Sequence, residues 1–275
     1  MSALYVVATP IGNLEDITLR AKRILEEVDV IAAEDTRHTR ILLSHLGIKT
    51  RIRTYHDHNE SSMSETLIKE LKAGLSIALV SDAGTPLISD PGYRLVKLAG
   101  EEGIDVVPVP GPSALIAALS VAGLPSDRFT FHGFLPAKEK AREDFLKSLV
   151  NESGTQIFYE SPHRLTKSIG TFEKIFGEDR IIVIARELTK TFEQIVRGSV
   201  GQIRAKVKSG EIIVKGEFVI LLQGQLNRPS DLDATRVLTE LLLELPMSKA
   251  AEVAAKLTGQ PRKKLYKLAL SLRQD

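Results

Sequence analysis

The stretch S-I-A-L-V-S-D-A-G-T-P-L-I-S-D-P-G, residues 76–92, indicates the fold class of this 275-residue chain. It begins with a nearly continuous apolar run, which is typical of a strand covered on both faces of a sheet. The next twelve residues, 81–92, contain two Asp, two Gly and two Pro. An ordinary connection needs one or two turn residues, so this loop predicts a ligand site at the end of a buried strand.

Similar apolar runs flank this stretch in the first half of the chain. They predict strands at 4–8, 29–33 and 105–109, with a weaker one at 51–55. Thr18 is a candidate N-cap for a first helix. A second helix is predicted from Thr39, with Ile41 on its apolar face and Gly47 at its end. This alternation of strands and helices predicts a mostly parallel sheet.

The second half of the chain has shorter spacers between its strands, which are predicted at 129–134, 155–159, 180–185, 192–197 and 217–223. The last three lie close enough to pair as antiparallel neighbours, so a mixed sheet is expected. A purely helical segment follows them. We therefore predict an α/β fold in three parts, residues 1–123, 124–226 and 227–275.

Composition narrows the class of protein. The chain is 43% apolar and 26% charged, enough to bury the cores of two compact units. The absence of cysteine excludes disulfides, thiolate nucleophiles and cysteine-bound zinc. The six histidines lack metal-ligand spacing, so no metal site is expected. Without a leader or an unbroken run of about 20 apolar residues, we expect a soluble cytoplasmic protein with no membrane contact.

Chemistry-bearing residues concentrate where the predicted strands end, in the loops 9–16, 34–40, 81–92 and 110–114. Ligands bind at the carboxyl ends of strands in open parallel sheets. Neither G-x-G-x-x-G nor a G-x-x-x-x-G-K-[ST] phosphate loop is present. Acidic side chains at strand ends, Asp82 and Asp90, suit a cationic ligand with a ribose, such as S-adenosylmethionine. Other small molecules stay open on this evidence.

The C-terminal segment carries a nucleic-acid signal. From Ser248 to Arg273 there are seven cations and one carboxylate, a net charge of +6, while the whole chain has +2. One apolar stripe holds Met247, Ala250, Ala251, Ala254 and Leu257, and a second holds Leu265, Leu268, Ala269 and Leu272. Two short helices around the turn at 258–261 resemble a helix-turn-helix, and concentrated positive charge favours phosphate backbones. A solvated helix face is the alternative.

Several motifs follow one another along the chain: Y-V-V-A-T-P-I-G-N-L-E-D-I-T (5–18), A-A-E-D-T-R-H-T-R-I-L-L (32–43), L-V-S-D-A-G-T-P-L-I-S-D-P-G (79–92), P-V-P-G-P-S-A (108–114), H-G-F-L-P-A-K (132–138) and F-Y-E-S-P-H-R-L (158–165). Together they closely resemble the ribosomal RNA small-subunit methyltransferase I family, within the tetrapyrrole-methylase fold. The resemblance covers essentially the whole chain. It departs from the family at 141–143, where a glycine and a more basic run are expected.

This resemblance implies a homodimer that binds S-adenosylmethionine between two α/β domains. It implies methylation of the 2′-hydroxyl of a cytidine in the decoding region of small-subunit (16S) ribosomal RNA, free or within the 30S subunit. The implied cofactor-binding residues are Pro10, Ile11, Asp82, Thr85, Ser113, Ala114, Leu188 and Glu217.

For the ribose proton, we predict Glu160 as the first candidate acceptor and Glu34 as the second. Arg164 and Arg37 are then placed to contact RNA, as are Lys263, Lys264 and Lys267 in the terminal segment. The competing interpretation is that each glutamate pairs with its neighbouring arginine and only holds a loop in shape.

Two other functions are compatible with parts of this pattern. One is methylation of a tetrapyrrole or another small molecule, which would not need the basic terminal segment. The other is an RNA-binding module or assembly factor without catalysis, which would not need the loops around a cleft.

Overall fold

The computed structural model describes residues 2–225 and 231–272. The chain divides into two compact units, Met1–Gly224 and Gln225–Asp275. The first unit contains two five-stranded sheets, and the described part of the second contains helices. The domain boundaries predicted near residues 123 and 226 remain predictions.

A mostly parallel first sheet was predicted, and all of its strand pairs are parallel. Its strands are β1 (Leu4–Val7), β2 (Val30–Ala33), β3 (Arg51–Thr54), β4 (Ile77–Val80) and β5 (Val106–Val109), in the order β3-β2-β4-β1-β5. The helices between them are α1 (Leu19–Glu27), α2 (Thr36–Leu46), α3 (Glu60–Lys72) and α4 (Tyr93–Glu101). Every residue of β2 and β4 is buried, which explains their uninterrupted apolar sequence.

The second sheet is mixed, also as predicted. It contains β6 (Phe129–Phe134), β7 (Thr155–Glu160), β8 (Ile181–Arg186), β9 (Gln194–Ser199) and β10 (Phe218–Leu222), in the order β6-β7-β10-β8-β9. Only β6 and β7 pair in parallel. The last three strands pair as antiparallel neighbours, with β8 between β9 and β10. The intervening helices are α5 (Ala114–Ala122), α6 (Glu139–Ser148), α7 (Pro162–Phe176) and α8 (Val200–Ser209).

One apolar cluster connects the two sheets within the first unit. Leu115 and Leu119 of α5 and Ile11 of the loop after β1 pack with Ile157 and Leu221 of the second sheet. Fully burying a side chain of this size contributes about 1.5–3 kcal/mol. The loops at the end of the first sheet are therefore anchored against the face of the second.

Capping and turn residues in the sequence predicted some helix ends correctly and others wrongly. Thr18 caps α1, accepting a hydrogen bond from the Ala21 amide, and Gly47 ends α2 with a φ of +73°. The predicted start of α2 at Thr39 was wrong. Asp35 accepts a hydrogen bond from the Arg37 amide at 2.8 Å, and this cap starts the helix three residues earlier. Ile41 is 62% exposed, so its place on the buried face was also wrong.

The second unit contains α9 (Asp231–Glu244), α10 (Met247–Thr258) and α11 (Arg262–Ser271). Its core is built largely of alanine and leucine: Ala234, Leu238, Ala250, Ala251, Ala254, Leu265 and Ala269. Leu257 was predicted on this face but is 68% exposed, because it lies at the end of α10 outside the stripe formed by the alanines. The predicted boundary at Asn227 and the cation Arg273 lie outside the described residues.

Candidate functional site

Hydrogen bonds join the four predicted loops at the carboxyl edge of the parallel sheet. The loop after β2 is held by the Asp35 amide, which donates to Oδ1 of Asp82 in the loop after β4 at 2.8 Å. Thr9 and Gly84 exchange two backbone hydrogen bonds of 2.9 and 3.0 Å, which connect the loops after β1 and β4. Thr85 donates its hydroxyl to the Pro112 carbonyl at 3.0 Å, which connects the loops after β4 and β5. Gly84 has a φ of +89°, and an added Cβ would lie 3.3 Å from Ile11, so the junction favours glycine.

These loops form one wall of a cavity of about 430 Å³. The opposite wall comes from the second sheet, through Tyr159 and Glu160 of β7, Leu188 after β8 and 216–219 around the start of β10. A cavity of several hundred Å³ at the carboxyl ends of parallel strands is typical of a small-molecule site.

The structure brings most of the predicted cofactor residues together. The cavity is lined by Ile11, Asp82, Thr85, Ser113, Ala114, Leu188 and Glu217. Pro10 instead lines a neighbouring cavity of about 350 Å³, which shares Ile11, Asp82 and Glu217 with the first. Ser113 occupies the N-cap position of α5 without a side-chain cap hydrogen bond, so its hydroxyl is not engaged in that capping role.

One side of the cavity is acidic. Glu34, at the end of β2, lies near Asp82 and Asp90 of the loop after β4, and all three line the cavity. Burial, followed by the charge of Asp82, raises the pKa of Glu34. Burial, followed by the charge of Glu34, raises the pKa of Asp90 to about 7. Closely placed carboxylates resist ionising together, so this wall favours a cationic ligand or a shared proton.

Glu34 is the least satisfied member of this group. Its Oε2 atom is buried and has no hydrogen-bond partner among the described residues. Arg37, its partner in the competing interpretation, instead forms an ion pair with Asp35 at 2.6 Å. A buried acceptor without a partner is costly, so Glu34 has capacity for a ligand group.

Glu160, the first candidate base, differs from Glu34 because both of its carboxylate oxygens have partners. Arg164 lies 2.9 Å from its Oε1 atom, and the Ser161 amide donates to the same oxygen at 2.8 Å. The Ser168 hydroxyl donates to Oε2 at 2.5 Å. Both oxygens are therefore engaged, and the carboxylate is fully buried. This geometry favours the competing interpretation, in which the Glu160–Arg164 pair shapes the loop after β7.

Asp82 also has a local structural partner. Its Oδ1 atom accepts a hydrogen bond from the Asp35 amide at 2.8 Å, and Oδ2 lies 3.3 Å from Nδ1 of His38. Asp35, His38 and Asp82 are the group of possible metal ligands found among the described residues. The Arg37 guanidinium holds the pKa of Asp35 well below its usual range, and this carboxylate is already neutralised by the arginine.

Backbone strain is confined to the two loops that wall the cavity. Among the described residues, positive φ at non-glycine positions occurs at Leu87 and Ser89 on one side and at Glu187 and Thr189 on the other. Such conformations cost about 1–3 kcal/mol each and cluster at functional sites. No local sequence signal marked these positions.

Two aromatic lining residues were also missed by the sequence analysis. Burial raises the pKa of Tyr159 to about 12, so this phenol stays neutral. The ring of Phe134 packs edge-on against Tyr159, with 5.6 Å between their centroids, and is itself exposed. Both rings line the cavity and offer apolar surface to a planar ligand. Both residues lie near the ends of β6 and β7 and within the motifs 132–138 and 158–165, and this position could have identified them from the sequence.

The terminal cations divide into two groups. On α10, Lys249 and Lys256 both pair with Glu252, at 3.1 and 3.0 Å. On α11, Lys263 and Lys267 are exposed and have no ion pair within the described part of the chain, and Lys264 is exposed beside them. The excess positive charge of this unit is therefore concentrated on α11.

Both parts of the chain match known protein families. The family of tetrapyrrole (corrin/porphyrin) methylases matches residues 3–204, and the RsmI C-terminal HTH domain matches 228–273. Ribosomal RNA small subunit methyltransferase I of Escherichia coli O157:H7 is 55% identical over 269 residues, 97% of this chain and 94% of that protein. The protein of the same name from Pseudomonas aeruginosa is 51% identical over 271 residues, 97% of this chain and 96% of its own length.

Solved structures share the fold at low sequence identity. Diphthine synthase aligns over 81% of this chain and 90% of its own, with a TM-score of 0.61 and 14% identity. Uroporphyrin-III C-methyl transferase from Thermus thermophilus, complexed with S-adenyl homocysteine, aligns over 82% of this chain and 99% of its own, with a TM-score of 0.56 and 19% identity. Within the described residues, no helix has the length and apolarity needed to cross a membrane.

Proposed function

The chain belongs to the ribosomal RNA small subunit methyltransferase I family, and we propose that it transfers a methyl group from S-adenosylmethionine to the 2′-hydroxyl of a cytidine in the decoding region of small-subunit ribosomal RNA. The observation that carries the proposal is the cavity, which gathers seven of the eight residues expected to bind the cofactor. A homodimer is proposed with it, from the family resemblance alone.

The cavity suits S-adenosylmethionine in size and in charge. Ile11, Ala114 and Leu188 supply apolar surface, while Asp82 and Asp90 supply acceptors for the cationic groups and ribose hydroxyls of the cofactor. Oε2 of Glu34 is buried and has no hydrogen-bond partner in the described part of the chain, which independently supports a ligand at this wall. When bound, the cofactor supplies a methyl group activated by its sulfonium.

The chain's own residues then have to position the ribose hydroxyl and accept its proton. Orientation alone can contribute several kcal/mol. A hydroxyl is a weak nucleophile, so a carboxylate that accepts its proton contributes about 100-fold or more. We propose Glu34 for this role because it lines the cavity with an oxygen that has no partner among residues 2–225 and 231–272, whereas both oxygens of Glu160 are already hydrogen-bonded.

The terminal unit favours RNA over a small-molecule substrate. α11 carries Arg262, Lys263, Lys264 and Lys267 without an acidic residue. A tetrapyrrole methyltransferase has no need for such a helix, and an assembly factor without catalysis has no need for the acidic cavity. The two features together support a methyltransferase that acts on RNA.

Methylation of unmodified 30S subunits and free 16S ribosomal RNA tests the function. With S-adenosylmethionine present, digestion to nucleosides should yield 2′-O-methylcytidine, and fragment mapping should place it in the decoding region. The matched control is Glu34→Gln, which should accumulate product about 100-fold more slowly. Methylation of a base, or of a tetrapyrrole in place of RNA, would refute the proposal.

A further inference from the structure

One face of α11 combines positive charge with an exposed aromatic ring. Lys263, Tyr266, Lys267 and Leu270 are spaced at i, i+3, i+4 and i+7, which places them on one side of the helix. All four are exposed, with Tyr266 at 40%. The buried residues Leu265 and Ala269 face the opposite way, into the core of the unit. We call these four exposed residues the α11 stripe.

Packing and local helix stability do not explain the α11 stripe. Arg262, Lys263 and Lys264 occupy the first turn of α11, where the helix dipole disfavours positive charge. Pro261, at the N-cap position, provides no side-chain cap that would offset this placement. Since these charges oppose the dipole and the ring of Tyr266 lies outside the core, the α11 stripe is suited to an anionic partner with planar groups.

We propose that Tyr266 stacks on an unpaired base of small-subunit ribosomal RNA while Lys263 and Lys267 contact phosphates beside that base. The inference rests on the proposed function for the identity of the RNA. Bases in loops and single strands can be stacked on aromatic side chains, whereas those within an A-form helix are not available. Stacking tolerates any base because every base has a planar face, so Tyr266 anchors the RNA without reading its sequence.

The chemistry of the α11 stripe favours RNA over other anionic partners. A helix that lies on a membrane needs a broad apolar face, whereas Leu270 is the one aliphatic residue of the α11 stripe. An acidic protein would satisfy the two lysines but gives no particular reason for an exposed ring between them. RNA supplies both phosphates and planar bases within a few ångströms.

Variants of the full chain separate stacking from charge. Binding to unmodified 30S subunits and to a single-stranded oligonucleotide is measured over a range of salt concentrations for Tyr266→Ala, Tyr266→Leu and Tyr266→Phe. Tyr93→Ala is the matched control, because Tyr93 is an exposed tyrosine on α4 in the first unit. Thermal unfolding checks that each variant is folded, and Tyr266→Leu keeps apolar bulk should the alanine variant be unstable.

The proposal expects Tyr266→Ala and Tyr266→Leu to weaken binding to both probes about tenfold with no change in the salt slope. Tyr266→Phe and Tyr93→Ala should stay within about twofold of the unmodified protein. Wild-type affinity for Tyr266→Leu, an equal loss for Tyr266→Phe, or a loss confined to 30S subunits through an acidic ribosomal protein would overturn it. Binding needs no methyl transfer, so a protein that binds in this way but forms no 2′-O-methylcytidine refutes the proposed function and leaves this inference standing.

Discussion

Nε of Arg164 lies 2.9 Å from Oε1 of Glu160, and the carboxylate of this pair is fully buried. The Ser161 amide and the Ser168 hydroxyl donate to the same carboxylate, so the end of β7 is fixed to the first turns of α7. Removing one member of a buried pair leaves the other without compensation, which is strongly destabilising. The pair therefore positions the cavity wall that carries Tyr159.

Glu160→Gln should lower stability without removing activity. Loss of the charge weakens the contacts to Arg164 and Ser168, so the free energy of unfolding should fall by about 1–3 kcal/mol. Single-turnover methylation at saturating cofactor and RNA should stay within about threefold of the unmodified protein. A rate about 100-fold lower with stability unchanged would restore Glu160 as the proton acceptor.

Glu34→Gln should have the opposite signature. The single-turnover rate should fall about 100-fold because the amide cannot accept the ribose proton. Stability should hold or rise, since the substitution removes a buried carboxylate oxygen that has no partner among the described residues. Equal rates for the two proteins across the pH range would favour catalysis by positioning alone.

Asp90 should make stability fall as the pH rises. Its pKa is raised from 3.8 to about 7 in the folded protein, so between these values the folded state holds a proton that the unfolded state has released. The contribution is fully present below pH 3.8 and is lost by about pH 7. It should be on the order of 1 kcal/mol, because the side chain is only partly buried.

The matched variant for this effect is Asp90→Asn, which cannot titrate. Urea unfolding of both proteins at pH 5 and pH 8 should show a smaller loss for Asp90→Asn than for the unmodified protein. An identical pH dependence in the two proteins would mean that Asp90 titrates near its ordinary value.

Asp82→Ala should weaken S-adenosylmethionine binding by about tenfold, the size expected for a lost charge-assisted hydrogen bond. Because Asp82 also accepts the Asp35 amide at 2.8 Å, part of this loss could come from a displaced loop. Asp82→Asn keeps an acceptor for that amide and removes only the charge, so calorimetry on both variants separates the two effects. If neither variant changes the affinity, Asp82 is only a turn former.

The sequence predicted features that depend on near neighbours along the chain. Thr18 at the start of α1 and Gly47 at the end of α2 act through their own backbone, so a short window contains the required information. The parallel sheet follows similarly from apolar runs whose strands are buried on both faces. That Ile11, Thr85 and Leu188 line one cavity was predicted from the family resemblance, because spacing along the sequence does not show which distant loops meet.

Sequence spacing alone could not predict which partners the carboxylates of the two candidate bases have in the folded protein. Glu160 and Arg164 are four residues apart, which allowed a pair, but burial of the carboxylate depends on α7 packing over the end of β7. Arg37 is three residues from Glu34 and yet pairs with Asp35, because Asp35 caps α2 and its carboxylate meets the guanidinium.

Lys263 and Lys267 should contribute more to RNA binding than Lys249 and Lys256, although each pair carries the same charge in the same unit. Glu252 already neutralises part of the second pair, whereas the first has no ion pair within the described residues. Replacing Lys263 and Lys267 by Gln should flatten the dependence of log Kd on log salt by about 0.7–0.9 per lost contact. The double variant of Lys249 and Lys256 should change this slope much less, and cofactor affinity should stay constant in both. Equal slopes for the two double variants would return α11 to the alternative of a solvated helix face.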